Sequence, residues 1–487
     1  MKKGPIMFGL TCTALAGSWS VLAATLIATT VTDTATASEA VVAPDKPNVM
    51  VIMTDDMRAD DLQAMPNTRH LLGAQDGLGA TYSNFYVTLP LCCPSRATFL
   101  TGQFPHNHGV WDNVGDHGGF PAFADRNALP TWMQAAGYRT AFLGKYFNGY
   151  GVGDSVDYIP PGWDSFAGLV GEYGQWTNYR DFDINRNGEL VQKRNDYQTT
   201  DFTTRALYQI RQMSPTQPTF MWLSMLAPHV DASQRAKDGG YSVWAPKKYR
   251  TSKAGTPKSA AFDEVDVSDK PSWIRSLSRL ADAKEAAIVR ERRERQNALH
   301  AVDESVGRIV AALRAQGELG NTLIMFTSDN GYMLGEHRIT TGKMYPYEES
   351  ARQPLLMRGP GVTPGVHREP TLNVDLAPTI ASAGSATPAR PVDGVDLLGT
   401  PPTMGRPLLL ESPKADVRPG LPAYAGIVEG GWQYLEYADG QKELYNLDAD
   451  PWQQRNRIAA PGLGDVRQRL AAELARLRNC AGEECTS

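Results

Sequence analysis

Four short runs of apolar residues each break off into polar or charged ones: Asn48–Met53, Thr140–Leu143, Thr219–Leu223 and Thr322–Phe326. Runs this brief and this continuous read as strands buried on both faces, as in a parallel sheet. Helical spacing appears between them, most clearly at Leu299, Val302, Val306, Ile309, Val310 and Leu313, where Gly317 and Gly320 punctuate the end. Strands alternating with helices predict an α/β fold with a largely parallel central sheet flanked by helices. After about Gly384 the pattern changes. Closely spaced strand-like runs at Arg406–Leu410, Tyr424–Val428, Trp432–Tyr437 and Glu443–Leu447 predict a small antiparallel sheet, and Leu463–Leu477 predicts a last helix. The expected organisation is a main domain over residues 46–384 and a C-terminal subdomain over 385–487.

Each run delivers chemistry at its end. The first leads into Asp55–Asp56, the second into Gly144–Lys145, the third into Ala227–Pro228–His229, and the fourth into Ser328–Asp329–Asn330–Gly331. In open α/β sheets, ligands gather outside the carboxyl ends of the strands. Alone, Asp55–Asp56 would pass for a helix cap, and Asp329–Asn330–Gly331 for a turn. Together on one rim, three carboxylates would repel and raise one another's pKa, which a divalent cation relieves. Oxygen-only ligands favour calcium, or magnesium, over zinc.

Composition narrows the class. Hydrophobic residues make up 42% and charged residues 21%, as in a globular protein. A net charge of -5 excludes a general polyanion binder, and no nucleic-acid partner is expected. Lys2 and Lys3 precede an apolar stretch from Ile6 to about Val31, and Ala35–Thr36–Ala37 offers small residues for cleavage. The stretch could span a bilayer, but this exit predicts a signal peptide over 1–37. The protein is then secreted or periplasmic, with no stable membrane association after cleavage. Of the 5 cysteines, Cys12 leaves with the leader and Cys480/Cys485 can close a disulfide loop outside the cell. Cys92–Cys93 is anomalous, because adjacent cysteines pair poorly. The mixed charges between Lys284 and Arg295 read as a solvated helix face.

The run Cys92-Cys93-Pro94-Ser95-Arg96-Ala97-Thr98-Phe99-Leu100-Thr101-Gly102 matches C-x-P-S-R-x-x-x-L-T-G in full. It resembles the signature of the type I, formylglycine-dependent sulfatases, whose fold is of the alkaline-phosphatase type. The resemblance implies that Cys92 is converted to formylglycine by a formylglycine-generating enzyme, and that its hydrate is the nucleophile. Pro94 can open a helix, which would put position 92 at a helix N-terminus suited to an anion. By the same resemblance Asp55, Asp56, Asp329 and Asn330 match calcium ligands, completed by the modified Cys92. Arg96 would orient the diol, Lys145 and Lys343 would bind sulfate, and His229 or Lys343 would protonate the leaving alcohol. Glu443–Leu447 with Asp450, Pro451 and Asn456 resembles the family's C-terminal subdomain.

One position departs from the pattern. Many members carry a histidine two residues after the first lysine; here Phe147 stands there, followed by Asn148. This context and the double cysteine are similar to the N-acetylglucosamine-6-sulfatase and extracellular endosulfatase branch, which implies a sulfated saccharide as substrate. His337, or a water held by Asn148, is left as the base for the second step. Trp163, Trp176, Tyr179 and Trp244 could form a sugar platform, or simply pack. The alternatives are a phosphonate monoester hydrolase or phosphodiesterase of the same superfamily and an inactive carbohydrate-binding relative.

Overall fold

The computed structural model describes Met1 and residues 46–486, apart from 154–155, 234–241, 253–257 and 414–420. Apart from Met1, the expected leader lies outside the described residues. Among them, no helix is long and apolar enough to cross a membrane.

Ten strands form the central sheet: β1 (Asn48–Thr54), β2 (Ala80–Tyr82), β4 (Arg139–Gly144), β5 (Ser165–Val170), β6 (Phe182–Arg186), β7 (Glu189–Lys193), β8 (Thr219–Ser224), β9 (Thr322–Ser328), β10 (Leu355–Arg358) and β11 (Gly365–His367). A separate pair consists of β3 (Phe85–Tyr86) and β12 (Thr371–Leu372). The order of the large sheet is β11-β2-β10-β9-β1-β8-β4-β5-β6-β7. Its centre, β9-β1-β8-β4-β5, is parallel throughout, while β10 and β6 run antiparallel to that block. All four expected strands are present, each one or two residues longer than its apolar run, and they are immediate neighbours. Their carboxyl ends therefore share one rim.

Period-2 alternation explains why these strands are apolar without a break. Met50 and Ile52 of β1 join Met221, Leu223, Ile324 and Phe326 on one face, against the long Asp282–Ala315 helix. Val49, Val51 and Met53 join Phe220, Trp222, Leu323 and Met325 on the other, against Ala97 and Leu100 of the Cys92–Thr101 helix. Both faces are core, so both sets of alternate residues must be apolar.

The long helix corrects one expectation. Its charged first half is not simply a solvated face: Arg295 and Glu294 are buried. Arg295 Nη2 donates to the backbone carbonyl of Asp56, and Glu294 accepts from Ser242 N at 2.7 Å. Mixed charge looked solvated because sequence alone cannot tell that the sheet rim leans on this turn.

At the C-terminal end, β13 (Leu408–Glu411), β14 (Tyr424–Glu429), β15 (Trp432–Tyr437) and β16 (Lys442–Asn446) form the expected antiparallel meander, followed by the Gly464–Leu477 helix. Cys480 and Cys485 are joined in a disulfide. One apolar cluster holds the meander's Leu408, Leu410, Ile427 and Leu435 together with Tyr86, Phe104, Leu372 and Val374 of the preceding chain.

Candidate active site

Backbone hydrogen bonds fasten the strand ends to one another. Asp329 N donates to Thr54 O at 3.1 Å, Met225 N to Met53 O at 2.8 Å, and Lys145 N to Ser224 O at 3.0 Å. Gly144 has φ 115°, and a Cβ there would lie 1.8 Å from Ser224 O, so only glycine lets β4 release Lys145 at this point. Asp56 takes up φ 67°, unusual for a residue with a side chain.

The Cys92–Thr101 helix brings the remaining groups. Cys92 is its first residue, and Gly102 closes it in the left-handed region at φ 65°. Asn113 Oδ1 caps the open end by accepting from Cys93 N at 2.9 Å. Position 92 therefore sits where the helix presents partial positive charge.

Nine of the expected side chains meet there. Cys92 Sγ lies 3.3 Å from Asp55 Oδ1 and 2.7 Å from Lys343 Nζ. Lys343 Nζ also contacts Asp56 Oδ1 at 2.5 Å, and Lys145 Nζ pairs with Asp55 Oδ2. Arg96 threads between them: Nε and Nη2 hold Asp329 Oδ2 at 2.9 and 2.8 Å, while Nη1 donates to Lys145 O and Ser224 Oγ, each at 2.7 Å. Asp329 Oδ1 accepts from Asp56 N at 3.1 Å, and Asn330 Nδ2 donates to Asp56 Oδ1 at 2.7 Å. His229 Nε2 stands 3.8 Å from Asp56 Oδ2. Its Nδ1 lies 2.7 Å from the Val230 carbonyl, which can only accept, so Nδ1 carries the hydrogen.

These groups are almost wholly buried, and their charges are mutually dependent. Burial would push the Asp55 and Asp56 carboxyls up, but the ammonium groups, Lys145 foremost at Asp55 and Lys343 at Asp56, hold both below the usual range. Asp329 goes the other way: burial and then the Asp55 charge push it up to about 6, against Arg96. Burial works against both lysines, yet the neighbouring acids keep them charged. Burial, followed by Asp55, pushes the Cys92 thiol far up, so as an encoded thiol it is a poor nucleophile. Burial also outweighs the nearby acids at His229 and lowers it to about 4.

A cation would suit this donor set. Asp56 Oδ2 and Asn330 Oδ1 are buried without a hydrogen-bond partner. Asp55, Asp56, Cys92 and His229 each offer an atom within 4.8 Å of the others. That group differs from the sequence expectation by including His229 and leaving out Asp329, whose oxygens face Arg96 and Asp56 N. The orphaned acceptors are all oxygen, so the oxygen set is the better guide.

His337 is not part of this cluster. Its Nδ1 lies 2.7 Å from Glu264 Oε2 and its ring packs 4.3 Å from Tyr347, in the junction with the C-terminal sheet. Phe147 stacks on Phe123 at 4.6 Å within the apolar core. Asn148, next along, approaches the site: its backbone N donates to Cys93 Sγ at 3.3 Å and its Oδ1 has no partner. Of the four expected platform aromatics, Trp176 lies under Lys145 at 4.8 Å, and Tyr179 donates to the His229 carbonyl at 2.7 Å. Trp163 instead stacks on Phe220, and Trp244 packs on Tyr197. Sequence reasoning missed Ser224, Asn113, Arg295 and the half-exposed Tyr173, whose ring is 6.0 Å from His229. Ser224 was within reach, since it ends β8 on the same rim.

The Sulfatase family model matches residues 47–386. The chain belongs to the sulfatase family. It is a sulfuric ester hydrolase, and the matched residues include every member of the cluster just described. This sulfatase is 31% identical over 505 residues to an arylsulfatase of Volvox carteri, covering 92% of this chain and 77% of that one. It is 29% identical over 493 residues to an N-acetylglucosamine-6-sulfatase of Capra hircus, covering 90% and 85%. A solved structure described as a complex with its substrate D-glucosamine-2-N,6-O-disulfate superposes with a TM-score of 0.69 at 22% identity, covering 89% of this chain and 97% of that one, a likeness of fold.

Proposed function

We propose that this sulfatase is exported, is converted at Cys92 to formylglycine, and hydrolyses sulfate monoesters of a saccharide with the help of one calcium ion. The observation that carries the reading is the meeting of Cys92 with Asp55, Asp56, Lys343 and Lys145 at the shared end of four parallel strands. The Sγ of Cys92 stands in for the oxygens of the converted side chain. Asp55, Asp56, Asp329 and Asn330 would hold the cation.

When bound, the cation lowers the pKa of an adjacent hydroxyl and draws in sulfate oxygens; the converted residue supplies a gem-diol nucleophile. The chain's own residues do the rest. Arg96, fixed by Asp329, Ser224 and the Lys145 carbonyl, sets the geometry around position 92. Lys145 and Lys343 attract the sulfate oxygens and offset charge that grows in the transition state. Lys343 is the proton donor assigned to the leaving alcohol, since the neighbouring acids keep its ammonium charged while His229, lowered to about 4, holds no proton to give at Nε2. His229 has its Nδ1 hydrogen committed to Val230, which leaves a bare Nε2 as an acceptor toward the site. Asn148 Oδ1 is the candidate anchor for the water of the second step, since His337 is engaged with Glu264. A saccharide substrate is supported by the N-acetylglucosamine-6-sulfatase relative and by the saccharide in the neighbouring structure.

Two measurements test this. Peptide mass spectrometry over Cys92, on protein co-produced with a formylglycine-generating enzyme, should find the aldehyde, and an unmodified thiol would remove the proposed nucleophile. Side-by-side turnover of an aryl sulfate and an aryl phosphonate should favour sulfate; a strong phosphonate preference would reject the assignment.

A further inference from the structure

Lys343 stands on a loop rather than at a strand end, and the backbone is bent on both sides of it. Gly342 has φ 135° and Met344 has φ 77°. A residue with a side chain rarely takes up the second value, so its surroundings must hold it there. The stem of a lysine is long and flexible, so the place of its ammonium depends on where this backbone is fixed.

Before the lysine, Met333 N donates to Gly342 O at 2.6 Å, and after it Met344 N donates to Pro90 O at 2.9 Å, two residues ahead of Cys92. From Met344 onward the C-terminal region takes hold of every second residue. Tyr424 of β14 donates its hydroxyl to Met344 O at 3.1 Å. Gln433 of β15 donates Nε2 to Pro346 O at 2.8 Å. Gln453, beyond β16, accepts at Oε1 from Glu348 N at 2.9 Å. Its Nε2 donates to Gln433 Oε1, which joins the two amides into one unit. All three side chains are buried, so water does not compete for these bonds. An interface that only packed would need no amide in its interior. Here two buried amides and a phenol are spent on the backbone of one loop.

We infer that the C-terminal meander clamps the Lys343 loop, with Tyr424, Gln433 and Gln453 as positioning residues that set the lysine against position 92 and Asp56. They act through the backbone of residues 344–348. The inference rests on the sulfatase reading above and adds what places its cationic group. A charge acts over a distance, whereas a proton is handed over only within hydrogen-bond reach. Loosening the clamp therefore weakens both roles of Lys343, and proton donation most.

A double-mutant cycle on full-length, cysteine-converted enzyme tests this. Tyr424→Phe removes the hydroxyl and keeps the ring. Alone it should lower kcat on phenyl sulfate ~10-fold and leave KM within ~2-fold. Added to Lys343→Met it should cost less than ~2-fold more, because no ammonium is left to place. Gln433→Met repeats the cycle from the second contact should the first variant fail to fold. Losses that multiply in full, or a wild-type kcat in both folded variants, would overturn the clamp. The second readout is the leaving group. Y424F should slow phenyl sulfate more than nitrophenyl sulfate, whose alcohol departs without needing a proton. A loss that is non-multiplicative yet equal for the two esters upholds the clamp and moves Lys343 from proton donor to sulfate binding. Wild-type enzyme that releases no sulfate from either ester rejects the sulfatase reading and the clamp with it, whereas an active wild type with fully multiplying losses rejects the clamp alone.

Discussion

Lys145 and Lys343 reach the same cluster from different parts of the chain, one from the end of β4 and one from a loop after β9, and each answers a different acid. Lys145 compensates Asp55, while Lys343 bridges Asp56 and Cys92. Replacing Lys343 with Met should lower kcat by ~10²–10³ and change KM much less, because the lost charge acts mainly on the transition state. Steady-state kinetics on an aryl sulfate would show it, and a pure KM effect would assign Lys343 to ground-state binding alone. The acids make a complementary case. Asp329 is pushed up to about 6 by burial and Asp55 in spite of Arg96, and Asp56 Oδ2 and Asn330 Oδ1 stay without a partner, so the cluster still calls for a cation between these oxygens. Removing bound divalent ions with a chelator should therefore abolish turnover and lower the melting temperature, and calcium should restore both better than zinc. A chelated enzyme with unchanged activity and melting would dismiss the cation.

Among the elements, the Cys92–Thr101 helix is the piece on which the site depends most, and its surroundings are built to hold it still. All ten of its residues are buried. Its far side is tied to the short Pro105–His108 helix by His108, whose Nε2 lies 3.0 Å from Thr98 Oγ1 and whose Nδ1 accepts from Val110 N at 3.1 Å. Burial, then the Arg390 charge, lowers the His108 imidazole from 6.5 to about 3. The unfolded chain therefore binds a proton that the folded chain refuses. This contribution to stability is complete above about 6.5 and is lost as pH falls toward about 3. His108→Gln should flatten the dependence of melting temperature on pH across that window relative to wild type. An unchanged acid limb would show that other groups control it.

For the whole molecule, the question is whether the C-terminal meander is an appendage or part of the core. Leu408, Leu410, Ile427 and Leu435 share one buried cluster with Tyr86, Phe104, Leu372 and Val374. Glu443 of β16 accepts from Tyr437 at 2.6 Å and from Tyr347, four residues after Lys343, at 3.1 Å. A fragment ending at residue 384 should therefore lose cooperative melting and expose apolar surface, which dye binding and calorimetry would detect. A sharp transition in that fragment would make 46–384 an independent domain. Much of this architecture could be read in the chain. The β1, β4, β8 and β9 runs were legible because strands buried on both faces must be apolar throughout, and the residues at their ends because a parallel sheet exposes that edge. The Cys92 signature was legible because it is local. Other features were not. Arg295 looked solvated, His337 looked close to the chemistry, and Trp163 and Trp176 looked alike, although both are buried and only Trp176 lies under Lys145. Sequence alone determined which groups are present and at which strand ends, since periodicity and motif act over a few residues. Only the tertiary structure decided which charges face one another and which aromatic rings line a site, because those depend on contacts between segments hundreds of residues apart, such as Lys343 with Cys92.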